Sequence, residues 1–265
     1  MKITIIGAGN MGGAMACGLA DSQEHEVTVT NISYGKLEKL KEKCPRLNIS
    51  YNNAEAIKGA DLVVIAVKPW CVQGAVDTFS KSLDYEHQMV ASVVGGMGTE
   101  EISTLFTRSD GKLPAVFYII PNTAIAVKES MTFITSVRTT KEQEDAVKNV
   151  FDELGMAMYV EERFMNAGLA VASCGIAYAM RYIRAAMEGG IELGLYASDA
   201  QKVVTQTLRG AAMLLQKNGS HPEVEIDRVT TPAGLTIRGL AAMEEAGFSA
   251  SVIRGLRASM PKEKQ

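Results

Sequence analysis

Residues 3–12 read ITIIGAGNMG, a short run of β-branched residues that ends in glycines. Such runs are typical of strands, and G-x-G-x-x-G between a strand and a helix is typical of a dinucleotide-binding turn. Gly7 would allow the tight turn, Gly9 would let a pyrophosphate approach the backbone, and Gly12 would let the helix pack closely on the strand. The unpaired N–H groups that begin the helix would bind the anion. We therefore predict dinucleotide contacts at Gly7, Gly9, Asn10, Met11 and Gly12.

Strand patterns and helix patterns alternate through the first 160 residues. The clearest strand patterns, short apolar runs rich in β-branched residues, cover 3–6, 27–30, 62–67 and 89–93. Between them, apolar residues recur at helical spacing over 11–19, 36–43 and 72–80. Near-continuous apolar strands separated by helices are typical of a parallel sheet covered on both faces. The sequence therefore predicts a doubly wound α/β domain of the Rossmann type over residues 1–160.

The segment after the second strand indicates which dinucleotide is bound. An acidic residue there would accept hydrogen bonds from the ribose hydroxyls of NAD, and residues 30–36, TNISYGK, contain none. Asn31, Ser33 and Lys36 could instead donate to the 2′-phosphate of NADP, although the arginine that would bind it in a bidentate way is missing. The pattern favours NADP, with NADPH as the preferred form, and leaves the use of NADH open.

Composition and charge exclude several classes of protein. The 265 residues carry a net charge of −3, with no basic field for a nucleic-acid backbone. The longest weakly polar run, 166–181, is shorter than the roughly 18–20 residues of a membrane span, and a strand pattern from residue 2 leaves no room for a signal peptide. The four cysteines and three histidines are scattered, which predicts reduced cysteines, no metal site and a cytoplasmic protein.

Residues beyond 160 show helical patterns only. A run rich in Ala, Gly and Met covers 166–195, and a second helix, with Ser198 as its N-cap, covers 198–216. Small residues let helices pack closely, and the apolar surface of such helices suits a dimer interface. We predict an all-α domain over 161–265 that forms a homodimer, or a larger homo-oligomer built of dimers. A helical bundle within one chain is the alternative.

Residues 230–237, TTPAGLTI, interrupt this helical region with threonines, a proline and a glycine. Such residues are unfavourable inside a helix. They are favourable at its start, where Thr231 would be the N-cap and Pro232 the first helical residue. The N–H groups near Gly234 could bind an anionic group of a ligand. This segment is therefore a candidate ligand site.

Seven blocks spread over the chain give it the pattern of a known family. They read IGAGNMGGAM (6–15), NNAEAIKGADLVVIAVKP (52–69), SVVGG (92–96), PNT (121–123), QTLRGAAMLL (206–215), HPEVEIDRVTTPAGLTI (221–237) and GLAAMEEAGF (239–248). The sequence resembles pyrroline-5-carboxylate reductase, and the last two blocks are the specific ones, because many dehydrogenases share the first. The family has SGSGPAY and SPGG where this chain has ASCGIAY (172–178) and TPAG (231–234), so substrate preference stays open.

The resemblance implies a Rossmann domain, a helical dimerisation domain and active sites where two subunits meet. The family's cofactor contacts fall on Asn53 and on the turn at the end of the strand pattern 62–67, namely Ala66, Lys68 and Pro69. Its substrate contacts fall on Gly95, Glu162, Val229, Thr231, Gly234 and Thr236. Among these, Thr236 matches the threonine that hydrogen-bonds the ring nitrogen, and it is the catalytic residue that the resemblance implies.

The implied reaction is transfer of a hydride from NADPH to C5 of 1-pyrroline-5-carboxylate, which gives proline. A cyclic imine is readily protonated near neutral pH, so a hydroxyl such as that of Thr236 suffices to orient its nitrogen. Two alternatives remain: reduction of another cyclic imine, and a dinucleotide-binding regulatory protein without turnover. The related β-hydroxyacid dehydrogenases need a lysine on the first long helix after the Rossmann domain, and the chain has none between Lys148 and Lys202.

Overall fold

A computed structural model of the chain describes residues 1–261. It divides into two compact units. The first, called the nucleotide unit below, comprises residues 1–173 with residues 260 and 261, and the second, the helical unit, comprises Cys174–Ser259. The domain boundary between residues 160 and 161 stays a prediction.

The nucleotide unit is built on one eight-stranded sheet with the order β3-β2-β1-β4-β5-β6-β7-β8. The strands are β1 Lys2–Ile6, β2 Glu26–Thr30, β3 Asn48–Ser50, β4 Leu62–Ile65, β5 Met89–Ser92, β6 Ala115–Ile120, β7 Ser130–Val137 and β8 Gly155–Tyr159. Neighbouring strands are parallel except β6 and β7. This sheet, with helices between its strands, confirms the predicted α/β fold of the Rossmann type.

Helices connect these strands and make up the helical unit. The nucleotide unit contains α1 Asn10–Ser22, α2 Tyr34–Lys43, α3 Asn53–Ala56, α4 Val72–Asp77, α5 Thr99–Thr104, α6 Lys141–Asp152 and α7 Met165–Gly168. The helical unit contains α8 Gly175–Glu192, α9 Ala197–Asn218, α10 Pro222–Arg228, α11 Leu235–Glu245 and α12 Phe248–Ala258. A π-helical turn, Leu169–Cys174, precedes α8.

Alternate residues of the strands enter two hydrophobic clusters, one on each face of the sheet. In β1, Ile5 belongs to the cluster that includes Leu19 of α1 and Phe151 of α6. The neighbouring Ile6 belongs to the cluster that includes Val76 of α4 and Ile102 of α5. Because both faces are covered, strand residues are apolar at successive positions, which explains the continuous apolar runs in the sequence.

The strand register brings the segments that are predicted to bind ligands to one edge of the sheet. Ile6 lies opposite Thr30 on one side and Ile65 on the other, and Ile65 lies opposite Ser92. The turns that follow these residues therefore emerge side by side at the carboxyl edge, where parallel sheets bind ligands.

Several predicted boundaries were wrong. The strands predicted over 62–67 and 89–93 end at Ile65 and Ser92. The helical run predicted over 166–195 is interrupted by the π-helical turn. The N-cap of α9 is Tyr196 rather than Ser198, and α11 begins after Gly234 rather than after Thr231.

The cysteines also correct a prediction. Cys17 and Cys44 form a disulfide, so they are not both reduced as predicted. The physical reason is spatial: Cys17 on α1 and Cys44 at the end of α2 pack on the same cluster, with a Cα–Cα distance of 5.8 Å. Cys71 and Cys174 are free.

The helical unit has almost no interior of its own. Among residues 174–259, all of which the structure describes, Ala200 alone is buried. Large apolar side chains are exposed along its helices, including Met180, Leu214, Val224 and Ile253. Within residues 1–261, no helix combines the length and the apolar character that crossing a membrane requires.

Candidate active site

The glycine turn after β1 has the three properties that its pattern predicts. Gly7 has a φ of +114°, and a Cβ added there would lie 2.7 Å from the carbonyl oxygen of Ala66. A Cβ on Gly12 would lie 2.0 Å from the carbonyl oxygen of Gly7. A Cβ on Gly9, the N-cap of α1, would meet no atom within 4 Å. Gly7 and Gly12 are thus needed for packing, whereas Gly9 keeps the start of α1 open to a ligand.

Asn10 and Met11 form the first turn of α1, where N–H groups have no partner inside the helix. Asn10 is exposed and Met11 is half-buried. The N–H of Gly7 itself donates to the carbonyl oxygen of Thr30 (3.0 Å), which ties the turn to the end of β2. The turn that is predicted to bind the anion is therefore held by a backbone contact to the neighbouring strand.

The segment after β2 carries Asn31 and Ser33, both half-buried. Ser33 is the N-cap of α2, and its side chain makes no capping hydrogen bond. The next residue, Tyr34, stacks on Tyr51 at a centroid distance of 4.2 Å, and the Tyr51 hydroxyl donates to Glu38. At the start of α2, the Ser33 hydroxyl thus makes no capping bond to the helix and lies next in sequence to the first tyrosine of a stacked pair.

Two further predicted cofactor segments lie at the same edge. The N–H of Ala66 donates to the carbonyl oxygen of Ile6 (2.9 Å), which places the turn after β4 beside the glycine turn. Lys68 is exposed and begins a 3₁₀ turn at Pro69. Asn53 begins α3, and its side-chain amide donates to the hydroxyl of Thr78 (2.8 Å). The predicted cofactor residues are thus gathered at the ends of β1, β2, β3 and β4.

The loop after β5 contains Gly95, which is exposed. Glu162, predicted near the substrate, binds Thr99 just beyond this loop. One carboxylate oxygen accepts from the N–H of Thr99 (2.7 Å), and the other accepts from its hydroxyl (2.6 Å). The N–H of Gly96 donates to the hydroxyl of Tyr118 (2.9 Å), and burial raises the pKa of that hydroxyl. The loop is therefore tied to two other parts of the unit.

Thr99 and Tyr118 are functional candidates that the sequence pattern does not single out. Tyr118 reads as one more large residue of an apolar strand, and its hydroxyl is the only sign of a polar role. Thr99 stands between a glycine and two glutamates, a pattern typical of a helix start. Its partner Glu162 lies 63 residues further along the chain, and no local pattern reveals such a contact.

Asn122, in the turn after β6, is a further buried polar residue at the carboxyl edge. Its side chain accepts from the N–H of Ala124 (2.9 Å) and donates to the carbonyl oxygen of Ala172 (3.2 Å). Ala172 belongs to the π-helical turn, where hydrogen bonds span five residues in place of the four of an α-helix. Asn122 therefore stabilises this irregular segment.

The remaining predicted residues lie in the helical unit, in and after the turn between α10 and α11. Val229 and Thr231 are exposed, and the N–H of Gly234 donates to the carbonyl oxygen of Thr231 (2.9 Å). A Cβ on Gly234 would lie 2.3 Å from the Thr231 hydroxyl oxygen. Thr236, the second residue of α11, is exposed. The structure thus groups these four residues around one helix start.

Comparisons with known proteins agree with this arrangement. Residues 162–265 match the family described as pyrroline-5-carboxylate reductase dimerisation, and residues 2–96 match the family described as NADP oxidoreductase, coenzyme F420-dependent. Pyrroline-5-carboxylate reductase 2 of Dictyostelium discoideum is 35% identical over 98% of this chain and 91% of its own length. The chain belongs to the pyrroline-5-carboxylate reductase family. This confirms the resemblance inferred from the seven sequence blocks.

Other members of the pyrroline-5-carboxylate reductase family show how the chain compares in length and fold. Pyrroline-5-carboxylate reductase 1 of Dictyostelium discoideum is also 35% identical over 98% of this chain, which spans about half (49%) of that longer protein. The structure of a pyrroline-5-carboxylate reductase from Coxiella burnetii superposes with a TM-score of 0.87 at 26% identity. It covers 97% of this chain and 95% of that one. The likeness therefore extends over both units.

The family's SPGG pattern gives a meaning to the backbone of residue 233. Ala233 has a φ of +58°, in the left-handed region that favours glycine. The family pattern has a glycine at this position, whereas this chain keeps the same backbone with a Cβ. The turn conformation thus fits the family despite the departure in sequence.

Proposed function

We propose that the protein is a pyrroline-5-carboxylate reductase, which reduces the C=N bond of 1-pyrroline-5-carboxylate with NADPH to give L-proline. The observation that carries the proposal is the open start of α1 at Gly9, in a chain that matches pyrroline-5-carboxylate reductases over nearly its full length. The missing side chain at Gly9 leaves room for a pyrophosphate against free N–H groups. Reduction of another cyclic imine is the second candidate, favoured by the altered residues 172–178.

The nucleotide unit would hold the cofactor, which supplies the hydride when bound. Gly7, Gly9, Asn10, Met11 and Gly12 would bind the pyrophosphate. The 2′-phosphate would contact Asn31 and the Ser33 hydroxyl, which is free of capping contacts. The remaining contacts would come from Asn53, Ala66, Lys68 and Pro69 at neighbouring strand ends. This set has donors for a phosphate and no carboxylate in the segment after β2, which supports a preference for NADPH over NADH.

The residues around the start of α11 would hold the substrate. The N–H groups that follow Gly234 suit the substrate carboxylate, because the first N–H groups of a helix lack partners within it. The Thr236 hydroxyl would accept from the protonated ring nitrogen, which keeps the iminium in the orientation for hydride transfer. Val229, Thr231, Gly95 and Glu162 complete the proposed substrate site.

A homodimer is part of the proposal, and larger assemblies would be built from it. Its support is the exposed apolar surface of the helical unit together with the dimerisation family that residues 162–265 match. A second copy would cover side chains that one chain leaves in water. The division at residue 160 into cofactor and dimerisation domains belongs to the same proposal. A cytoplasmic location does too, although the Cys17–Cys44 disulfide does not support it, since cytosolic proteins rarely keep disulfides.

The test is steady-state oxidation of NADPH with 1-pyrroline-5-carboxylate, beside cyclic imines of larger ring size. We expect Thr236→Ala to lower kcat/KM by about tenfold or more, the scale of one lost polar contact in the transition state. Thr207→Ala, which removes an exposed helical hydroxyl that bonds its own helix, is the matched control and should leave the kinetics unchanged. Wild-type protein that binds NADPH tightly but turns over no imine would defeat the proposal.

A further inference from the structure

The loop Gly95–Gly98, called the glycine loop below, is held at two points. Inside the loop, the N–H of Gly96 donates to the hydroxyl of Tyr118, which is itself buried on β6. Directly after the loop, Thr99 donates both its N–H and its hydroxyl to Glu162. Three of its four residues are glycines, which have many accessible backbone conformations in the absence of such contacts. These two contacts therefore select one of them.

Both oxygens of the Glu162 carboxylate are engaged at the N-terminus of α5. Thr99 is buried, with 2% of its surface exposed, so its hydroxyl depends on this partner. A Cβ on Gly98 would lie 2.5 Å from one of the Glu162 oxygens, so the glycine at this position lets the carboxylate approach. A carboxylate at a helix N-terminus is favourable for the helix dipole as well as for the free N–H groups. The contact thus acts as a helix cap supplied from a distant segment.

The glycine loop lies close to the place where a bound cofactor would react. It follows β5, which pairs with β4, and β4 pairs with β1. With strands about 4.8 Å apart, the end of β5 is about 10 Å from the glycine turn along the sheet edge. That distance separates the pyrophosphate site from the part of the edge available to the nicotinamide and the substrate.

We propose that Glu162 is a positioning residue, which holds the glycine loop in its working shape through Thr99 and does not bind the substrate by its charge. The inference rests on the proposed function and refines the role of Glu162 within it. In this proposal Thr99, Tyr118 and Gly98 also help to hold the glycine loop: Thr99 and Tyr118 by hydrogen bonds, and Gly98 by leaving room for the Glu162 carboxylate. It also predicts that a neutral side chain able to make the same hydrogen bonds replaces Glu162.

Four variants separate this role from a direct role of the charge. We expect Glu162→Ala to lower kcat by about tenfold or more, with the KM for NADPH changed less than about threefold, because loop geometry affects the transition state more than cofactor binding. Thr99→Val should lower kcat by a smaller factor, because the N–H contact remains. The double variant should be no slower than Glu162→Ala, since both changes act on one contact. Glu162→Gln, which still accepts from the N–H and can bond the hydroxyl, should stay within about threefold of the wild type.

Hydrogen exchange provides a readout that does not require turnover. Glu162→Ala should speed exchange in peptides that cover residues 93–104, and Glu162→Gln should not. Glu161→Ala, at the adjacent exposed carboxylate, is the matched control and should change neither exchange nor kinetics. If Glu162→Gln is as slow as Glu162→Ala while the loop exchanges normally, the charge itself acts and the inference is wrong. Unchanged exchange in Glu162→Ala overturns it as well, whereas lack of wild-type turnover would overturn only the proposed function.

Discussion

The two compact units differ in what covers their apolar side chains. The nucleotide unit has a sheet with a hydrophobic cluster on each face, and its helices cover both. In the helical unit, residues 174–259, Ala200 is the one buried residue, and large apolar side chains such as Met180 and Leu214 are more than one third exposed. The nucleotide unit therefore has its own hydrophobic interior. The helical unit instead exposes apolar side chains of the kind that form an interior when another surface covers them.

This difference explains why one unit was easier to predict than the other. Alternating strands and helices specify which faces are covered, because a parallel sheet needs helices on both sides. Apolar helices specify only that something must cover them. In the proposed dimer, a second copy of the chain covers these helices. Each prediction below changes a property of one unit and leaves the other unit as it is.

The largest effect is expected from a charge on the apolar surface of the helical unit. Val252 lies beside Tyr182 and Phe248 in a groove between α8 and α12. In the proposed dimer, Val252→Asp would place an unpaired carboxylate in an apolar interface. Because both subunits carry the change, a cost of about 1.5 kcal/mol for each carboxylate adds to about 3 kcal/mol, which corresponds to about a hundredfold weaker association. Sedimentation over a range of concentrations would measure it.

The control for this change is Lys81→Glu, at an exposed residue of the nucleotide unit. It also makes the net charge more negative, and it should leave association as in the wild type. If Val252→Asp associates normally and its helical unit melts as in the wild type, then this surface is not the one that the second copy covers. The comparison between the units would then need another partner for these helices.

A smaller effect, confined to the nucleotide unit, is expected at the glycine turn. Gly9→Ala adds a Cβ to open space, so the free energy of unfolding should change by less than about 0.5 kcal/mol. The same Cβ occupies the ligand's side of the turn, and the Kd for NADPH should rise by about tenfold or more, equivalent to about 1.4 kcal/mol. Quenching of Trp70, the one tryptophan of the chain, would report binding, and urea unfolding would report stability.

Gly12→Ala and Gly13→Ala are the two comparison variants for Gly9→Ala: the first should lose both stability and affinity, and the second neither. The Cβ of Gly12→Ala would lie 2.0 Å from a backbone oxygen, so this variant should lose about 1–3 kcal/mol of stability as well as affinity. At Gly13 the nearest atom, on Leu40, is 3.5 Å away, and that variant should bind and fold normally. If Gly9→Ala binds NADPH as the wild type does, the ligand does not approach the backbone at this glycine.

These cases show which parts of the molecule local sequence can predict. The glycine turn is recognisable because its strand, turn and helix follow one another within a few residues. The Glu162–Thr99 contact and the Cys17–Cys44 disulfide join distant segments, so no local pattern indicates them. The start of α11 was misplaced because the left-handed backbone of Ala233, which a side chain normally disfavours, delays the helix until Leu235. A residue type favours a conformation, but the surrounding structure can impose another.

The smallest expected effect tests that left-handed residue and therefore the substrate half of the proposed site. An L-residue in the left-handed region costs roughly 1–2 kcal/mol, and a glycine at residue 233 would remove this cost. Part of that gain in stability is offset, because glycine loses more conformational entropy on folding than alanine. Ala233→Gly should thus stabilise the helical unit by about 0.5–1 kcal/mol. Ala242→Gly, at an exposed position inside α11, should instead destabilise it by about 1 kcal/mol. Urea unfolding at one protein concentration compares the two, and equal losses in both variants would mean that residue 233 is not left-handed in the folded protein. Opposite signs would mean that the turn before Thr236 carries a local backbone strain at Ala233 that a glycine relieves, so that the proposed substrate turn is held in its shape by the surrounding structure against the preference of its own residue.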